Sequence, residues 1–154
     1  MNTNNKNKNI DLDALLTRLD ACSAARKWAA GKTLEQAWAE CPRGDWMLWL
    51  AGRLDVDRKL LVHAACQCAR LALPHVPAGE RRPLKSIEAV EAWAWAAEAA
   101  AAAWAAAWAA VCAARAAAAR GAALEEKLAE CADIVREHVS YELIAEAARR
   151  EATK

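Results

Sequence analysis

The side chains able to do chemistry are few, and their spacing is unpromising for catalysis. His63, Cys66 and Cys68 lie close together, and His63 and Cys66, three apart, share one face of a helix. Cys68 stands about 200° from Cys66 on a helical wheel, so a single helix cannot aim both thiolates at one zinc ion. These cysteines read as small buried thiols. Cys22, Cys41, Cys112 and Cys131 stand alone, without CxxC spacing. Ser23, Ser86 and Ser140 supply hydroxyls, but the chain has no GxSxG elbow, no glycine-rich phosphate loop and no HExxH pair. His75 and His138 would serve as bases only if the fold brought a partner near. Asp45, Asp55 and Asp57 resemble paired carboxylates, yet Asp45 and Asp55 precede apolar helical turns, where aspartate is a favoured cap. No catalytic residue, metal site or cofactor is expected.

Chemistry suited to binding is better represented. The stretch Cys41-Pro42-Arg43-Gly44-Asp45-Trp46-Met47-Leu48-Trp49-Leu50-Ala51-Gly52 joins a sharp turn, a charge pair and two indoles. Trp46 and Trp49, three apart, should point the same way, either anchoring a helix junction or forming an exposed patch. Pro74 to Pro83, containing Gly79 and the run Glu80-Arg81-Arg82, is the longest loop signal in the chain and is expected on the surface. Further on, Trp95 falls on the same side of its helix as the glutamates. Glu80, Arg81, Arg82 and Trp95 are therefore predicted to be exposed contact residues, with Trp46 and Trp49 as the next choice.

The elements that must position these residues are helical. Leu12, Leu15, Leu16, Leu19 and Cys22 follow three/four spacing and predict one helix from Asp11 to Ala30, closed by Gly31. Thr33 and Gln36 form a capping box opening a short helix through Trp38, which Pro42 and Gly44 end. Asp45 is read as the cap of an apolar turn over 46–50 that Gly52 stops. Asp55 is read as starting a helix to Leu73, with Leu60, Leu61, Ala64, Cys68 and Leu71 inward and Pro74 ending it. From Leu84 to Arg120 nothing breaks the pattern, so one long Ala/Trp-rich helix is expected. Trp93, Trp104 and Trp108 share one seam of it with small alanines, and the reading favours burial of that seam over an exposed indole platform. Leu124 to Val139 and a shorter helix capped by Ser140 complete the set. Residues 1–10 read as a disordered leader, and residues 11–154 as a single domain.

Composition agrees. The chain has 154 residues, 43 of them alanine, with 8 Trp, one Tyr, no Phe, 5 Gly and 4 Pro. Strand formers are scarce and helix formers abundant, which selects an all-α, single-domain helical bundle. The 21 basic and 20 acidic residues nearly cancel, so no global field recruits nucleic acid or a membrane surface. Locally, Arg53 to Lys85 holds seven basic residues (Arg53, Arg58, Lys59, Arg70, Arg81, Arg82 and Lys85) against three acidic, the basis of an alternative reading as a nucleic-acid-directed module. The uncharged run Ala99 to Ala114 is too short and too weakly apolar to span a bilayer. The polar first residues lack the apolar core of a signal peptide, so a cytoplasmic setting with free thiols is expected.

The 41–52 stretch, together with Asp55-Val56-Asp57-Arg58-Lys59-Leu60-Leu61, Cys66-Gln67-Cys68-Ala69-Arg70-Leu71-Ala72-Leu73-Pro74, Arg82-Pro83-Leu84-Lys85 and Cys131-Ala132-Asp133-Ile134-Val135-Arg136, resembles the small alanine-rich helical immunity proteins of phages and bacteria. The resemblance spans about Leu12 to Ile144, with Ala/Trp where members of that family often carry an Ala/Tyr-rich insert. It implies a non-enzymatic protein that binds and neutralises another protein, a toxin or a host defence effector. It transfers no catalytic residue and names no target.

Overall fold

The computed structural model describes residues 10–94 and 124–153, and every regular element in them is a helix. The order is α1 (Leu12–Arg18), α2 (Ser23–Ala29), α3 (Leu34–Glu40), α4 (Gly44–Arg53), α5 (Arg58–Arg70), a 3₁₀ turn (Leu73–His75), α6 (Arg82–Ala94), α7 (Leu124–His138) and α8 (Tyr141–Ala152). The protein is an all-α bundle. None of these helices is long and apolar enough to cross a membrane. Ile10, placed in the leader by sequence, packs against the core. The remainder of that leader, and the long helix beyond Ala94 with Trp104 and Trp108, lie outside the described residues, as does the side chain of Trp93.

Two corners with the same local sequence turn the chain. After α1, Asp20 adopts φ 61°, the Ala21 amide donates to Leu16 O and the Asp20 amide to Thr17 O. After α4, Asp55 adopts φ 55°, with Val56 donating to Ala51 O and Asp55 to Gly52 O. Both are Schellman closures with aspartate where glycine is usual, since Asp tolerates the left-handed region better than most residues. The corners read Arg18-Leu19-Asp20-Ala21 and Arg53-Leu54-Asp55-Val56, and in each the apolar residues flanking the aspartate are buried. They also touch, Arg53 Nη2 donating to Leu19 O at 3.2 Å.

These corners correct three readings. The predicted Asp11–Ala30 helix is two helices, because the apolar spacing continues across a corner that no glycine marks. Gly52 lies inside α4, and Asp55 closes α4 instead of opening α5. The cap of α5 is Asp57, whose carboxylate accepts the Lys59 amide at 2.9 Å. Two other starts are as read: Asp11 caps α1 through the Ala14 amide, and Thr33 and Gln36 form a reciprocal capping box on α3. α5 ends at Arg70, short of Pro74, which sits in the 3₁₀ turn.

The core lies where α4, α5 and α7 meet. Leu48, Ala51, Val62, Ala64, Ala65 and Val135 are fully enclosed, and the alanines let helix axes approach closely. Along α5 and α7, His63 meets His138 and Cys68 meets Cys131, so the two helices run antiparallel. Arg136 of α7 donates from Nε to Trp38 O at 3.1 Å and from Nη2 to Cys41 O, placing a guanidinium on the carbonyl end of α3. On the far side of α5, Arg70 forks onto Glu91 of α6 at 3.1 and 2.7 Å.

Candidate protein-binding site

The 41–52 stretch brings its turn, charge pair and Trp46 together in one arrangement. Arg43 is the extended residue before α4, Gly44 its first helical residue and Asp45 its second. Gly44 is required here by packing: a Cβ would come within 2.5 Å of Cys131 Cβ and 2.7 Å of the Ala132 amide nitrogen. That close approach of α4 to α7 buries Asp45, which is 3% exposed. Asp45 is thus not the cap expected from sequence. Its carboxylate accepts Arg43 Nε at 2.8 Å and Nη2 at 2.7 Å. A carboxylate at a helix N-terminus is favoured by the helix dipole, and the fork fixes the guanidinium plane. The Arg43 guanidinium is held above its ordinary pKa by the Asp45 hydrogen bonds.

The fixed guanidinium lies over the Trp46 ring, 4.5 Å from its centroid. Trp46 in turn meets Trp28 of α2 at 6.3 Å with planes tilted by 57°, and Lys32 Nζ sits 5.2 Å from the Trp28 centroid. Lys32 is paired with Glu40 of α3. The result is a row of cation, indole, indole, cation running from the start of α4 to the end of α2, with both indoles half-buried. The indoles edge an apolar cleft of about 50 Å³ whose floor includes Leu12, Leu16, Trp38 and Met47. Sequence reasoning missed Trp28, Lys32 and Arg43 as members of the row. The only advance signal was the Arg43/Asp45 charge pair. Trp49, half-buried and packed against the core, does not line this cleft, so Trp46 and Trp49 do not form one patch there.

The loop residues Arg81 and Arg82 are exposed, as read, while Glu80 is half-buried. Glu80 accepts the Arg82 amide at 2.8 Å and the Arg82 guanidinium at 2.9 Å, holding its own carboxyl down to about 2. Trp95, the remaining expected contact, lies outside the described residues. No family model, no curated protein and no solved structure matches this chain.

Four of the seven basic side chains of the 53–85 stretch are engaged within the chain. Arg53 holds the corner at Leu19, Arg58 lies 4.0 Å from Asp55, Arg70 is forked onto Glu91 and Arg82 is tied to Glu80. The chemistry-bearing residues around Cys66 diverge. His63 is exposed and meets the His138 ring at 4.7 Å, Cys66 is buried with its thiol pushed up to about 11 by burial, and Cys68 faces Cys131. Among the described residues, no three His, Cys, Asp or Glu side chains group as metal ligands. Ser86 donates to Arg82 O within its own helix, and Ser140 occupies the cap position of α8.

Proposed function

We propose that this chain is a non-enzymatic inhibitor of immunity type, which acts in the cytoplasm by binding another protein, a toxin or a host defence effector. The observation that carries this reading is the row of Arg43, Trp46, Trp28 and Lys32 at the mouth of an apolar cleft. Tryptophan and arginine dominate the energetic centres of protein interfaces, and side chains already locked in place lose little entropy on binding. The bidentate bond from Arg43 to Asp45 and the tilted stacking of the two indoles supply that locking. Arg81 and Arg82, exposed in the 74–83 loop, provide a second, more polar contact, and Trp95 is proposed to join it.

The test compares tagged wild-type protein with Trp46→Ala, with Arg81→Ala/Arg82→Ala and with Trp95→Ala in capture from a bacterial host lysate at low and moderate salt. One protein should be held by the wild type and lost from Trp46→Ala, and co-expression of the wild type should relieve that protein's toxicity or block its activity. In a purified complex kept below the melting temperature of the variant, which loss of packing on Trp28 and the core lowers, Trp46→Ala should weaken affinity by about 30-fold, roughly 2 kcal/mol. Capture of identical protein sets by wild type and all variants would sink the reading.

A further inference from the structure

The antiparallel seam of α5 and α7 carries a pair of groups that the binding site does not use. Cys68 and Cys131 come from different helices, 63 residues apart in sequence, and are buried together at 2% and 8% exposure. Cys68 Sγ donates to Cys131 O at 3.7 Å, which sets the two residues side by side across the seam. A single buried cysteine is an inert apolar filler. Two cysteines that adjoin across a buried seam, on helices that cannot separate without opening the core, form a pair able to bond to each other. We propose that Cys68 and Cys131 are a redox-active dithiol, converted by a hydroperoxide into a disulfide that staples α5 to α7.

The chemistry divides between the two residues. Cys131 is the less deeply buried of the two residues, and donation from Cys68 keeps its thiol below the ordinary value, while the Cys68 thiol is pushed up. Thiolates attack and thiols do not. Cys131 therefore attacks the terminal peroxide oxygen. The O–O bond breaks, a sulfenic acid forms on Cys131, and the rest of the peroxide leaves as water or alcohol with the thiol's proton. Cys68 then gives up its proton to the departing hydroxide as its sulfur attacks the Cys131 sulfur, the S–O bond breaks and water leaves. Two electrons pass from the dithiol to the peroxide, and two equivalents of an external thiol return them. The neighbouring thiols are placed otherwise: Cys41 donates to Arg43 O at 3.5 Å, and Cys66 sits one helical half-turn away on α5. The inference stands on the seam alone and is independent of the proposed binding function.

The experiment uses the full chain, reduced, then exposed to graded hydrogen peroxide, alkylated and mapped as non-reduced peptides, with melting followed in parallel. The expected result is one intramolecular Cys68–Cys131 linked peptide, removed by dithiothreitol. Because the bridge closes a long loop of the unfolded chain, the melting temperature should rise by several degrees on oxidation. Cys68→Ala and Cys131→Ala should each abolish both signals, and Cys22→Ala neither. Linkage of Cys131 to Cys41 or Cys66 would overturn the proposal. So would sulfinic acid on Cys131 without a link, or intact thiols at both positions under peroxide that oxidises the exposed Cys22. The wild-type peptide map decides even if an alanine variant fails to fold.

Discussion

Arg43 with Asp45 and Glu80 with Arg82 are the same device twice: an arginine and a carboxylate two residues apart, bonded through a fork, at the first turn of a helix. Their surroundings differ. Asp45 is sealed under α7, so its carboxylate cannot turn away, and Arg43 is pinned over Trp46 as a fixed part of the surface. Glu80 is half-buried but its partner Arg82 is in water at 88% exposure, and their fork only closes a loop and caps α6. An exposed pair contributes little because both groups are well solvated when apart, whereas a partly buried pair cannot be broken without stranding a charge. Burial of one oxygen pair, not the presence of the ions, turns a common surface contact into a preorganised feature.

Gly44 is where that difference originates, so its substitution should have the largest effect. In Gly44→Ala the new methyl meets the Cys131 backbone at 2.6 Å as well as its Cβ. Neither is the flexible end of a side chain, so α4 must move off α7. The expected cost is about 3 kcal/mol in urea unfolding, with Asp45 partly re-exposed and the tryptophan emission of the native state shifted to the red. Gly79→Ala offers the control at the other site: its Cβ would have open space, and only its left-handed φ of 89° opposes the change.

Much of this was legible beforehand and some was hidden for identifiable reasons. The helical class followed from the alanine content and the lack of strand formers, and the Thr33/Gln36 box followed from residue types that act locally. The corners at Asp20 and Asp55 were hidden because the commonest signal for such a closure is glycine, and Gly52, three residues early, drew the boundary. Gly44 read as a breaker because its role depends on Cys131, far off in sequence. Trp46 was singled out as a candidate, but Trp28 and Lys32 were not, since only the α2–α4 packing places them beside it.

A smaller effect is expected from Asp45→Asn, which keeps the shape and removes the charge. The Arg43 guanidinium, 28% exposed, would lose its fixed partner, and the stability loss should be about 2 kcal/mol. Pairing this change with Arg43→Met, which restores an apolar cover on Trp46 without a charge, should recover part of that loss. A double-mutant cycle from urea melts reads the coupling. If Asp45→Asn and Arg43→Met prove additive, the fork does not hold the arginine, and the contrast with the loop pair disappears.

The smallest effect belongs to the solvent-facing pair, and it is best seen as a titration. The Arg82 guanidinium, followed by the Arg82 amide, stabilises the Glu80 carboxylate and lowers its pKa from 4.5 to about 2. A carboxyl whose folded value is depressed contributes stability that is fully present above its unfolded value and is lost as pH falls towards the folded one. The contribution of Glu80 should therefore be intact above about pH 4.5 and fade between there and about pH 2. Because Arg82 is solvated and Glu80 still reaches water, the change in unfolding free energy should be slight, but the carboxyl carbon resonance of Glu80 still reports its protonation directly. At low salt that resonance should titrate near 2. In Arg82→Ala the midpoint should climb towards 4.5, held back only by the remaining amide bond, and salt should raise it in the wild type by screening the guanidinium. A wild-type midpoint near 4.5 at low salt would mean that the pair is open in solution, leaving Arg82 as free as Arg81 to meet a partner and sharpening the distinction from Arg43.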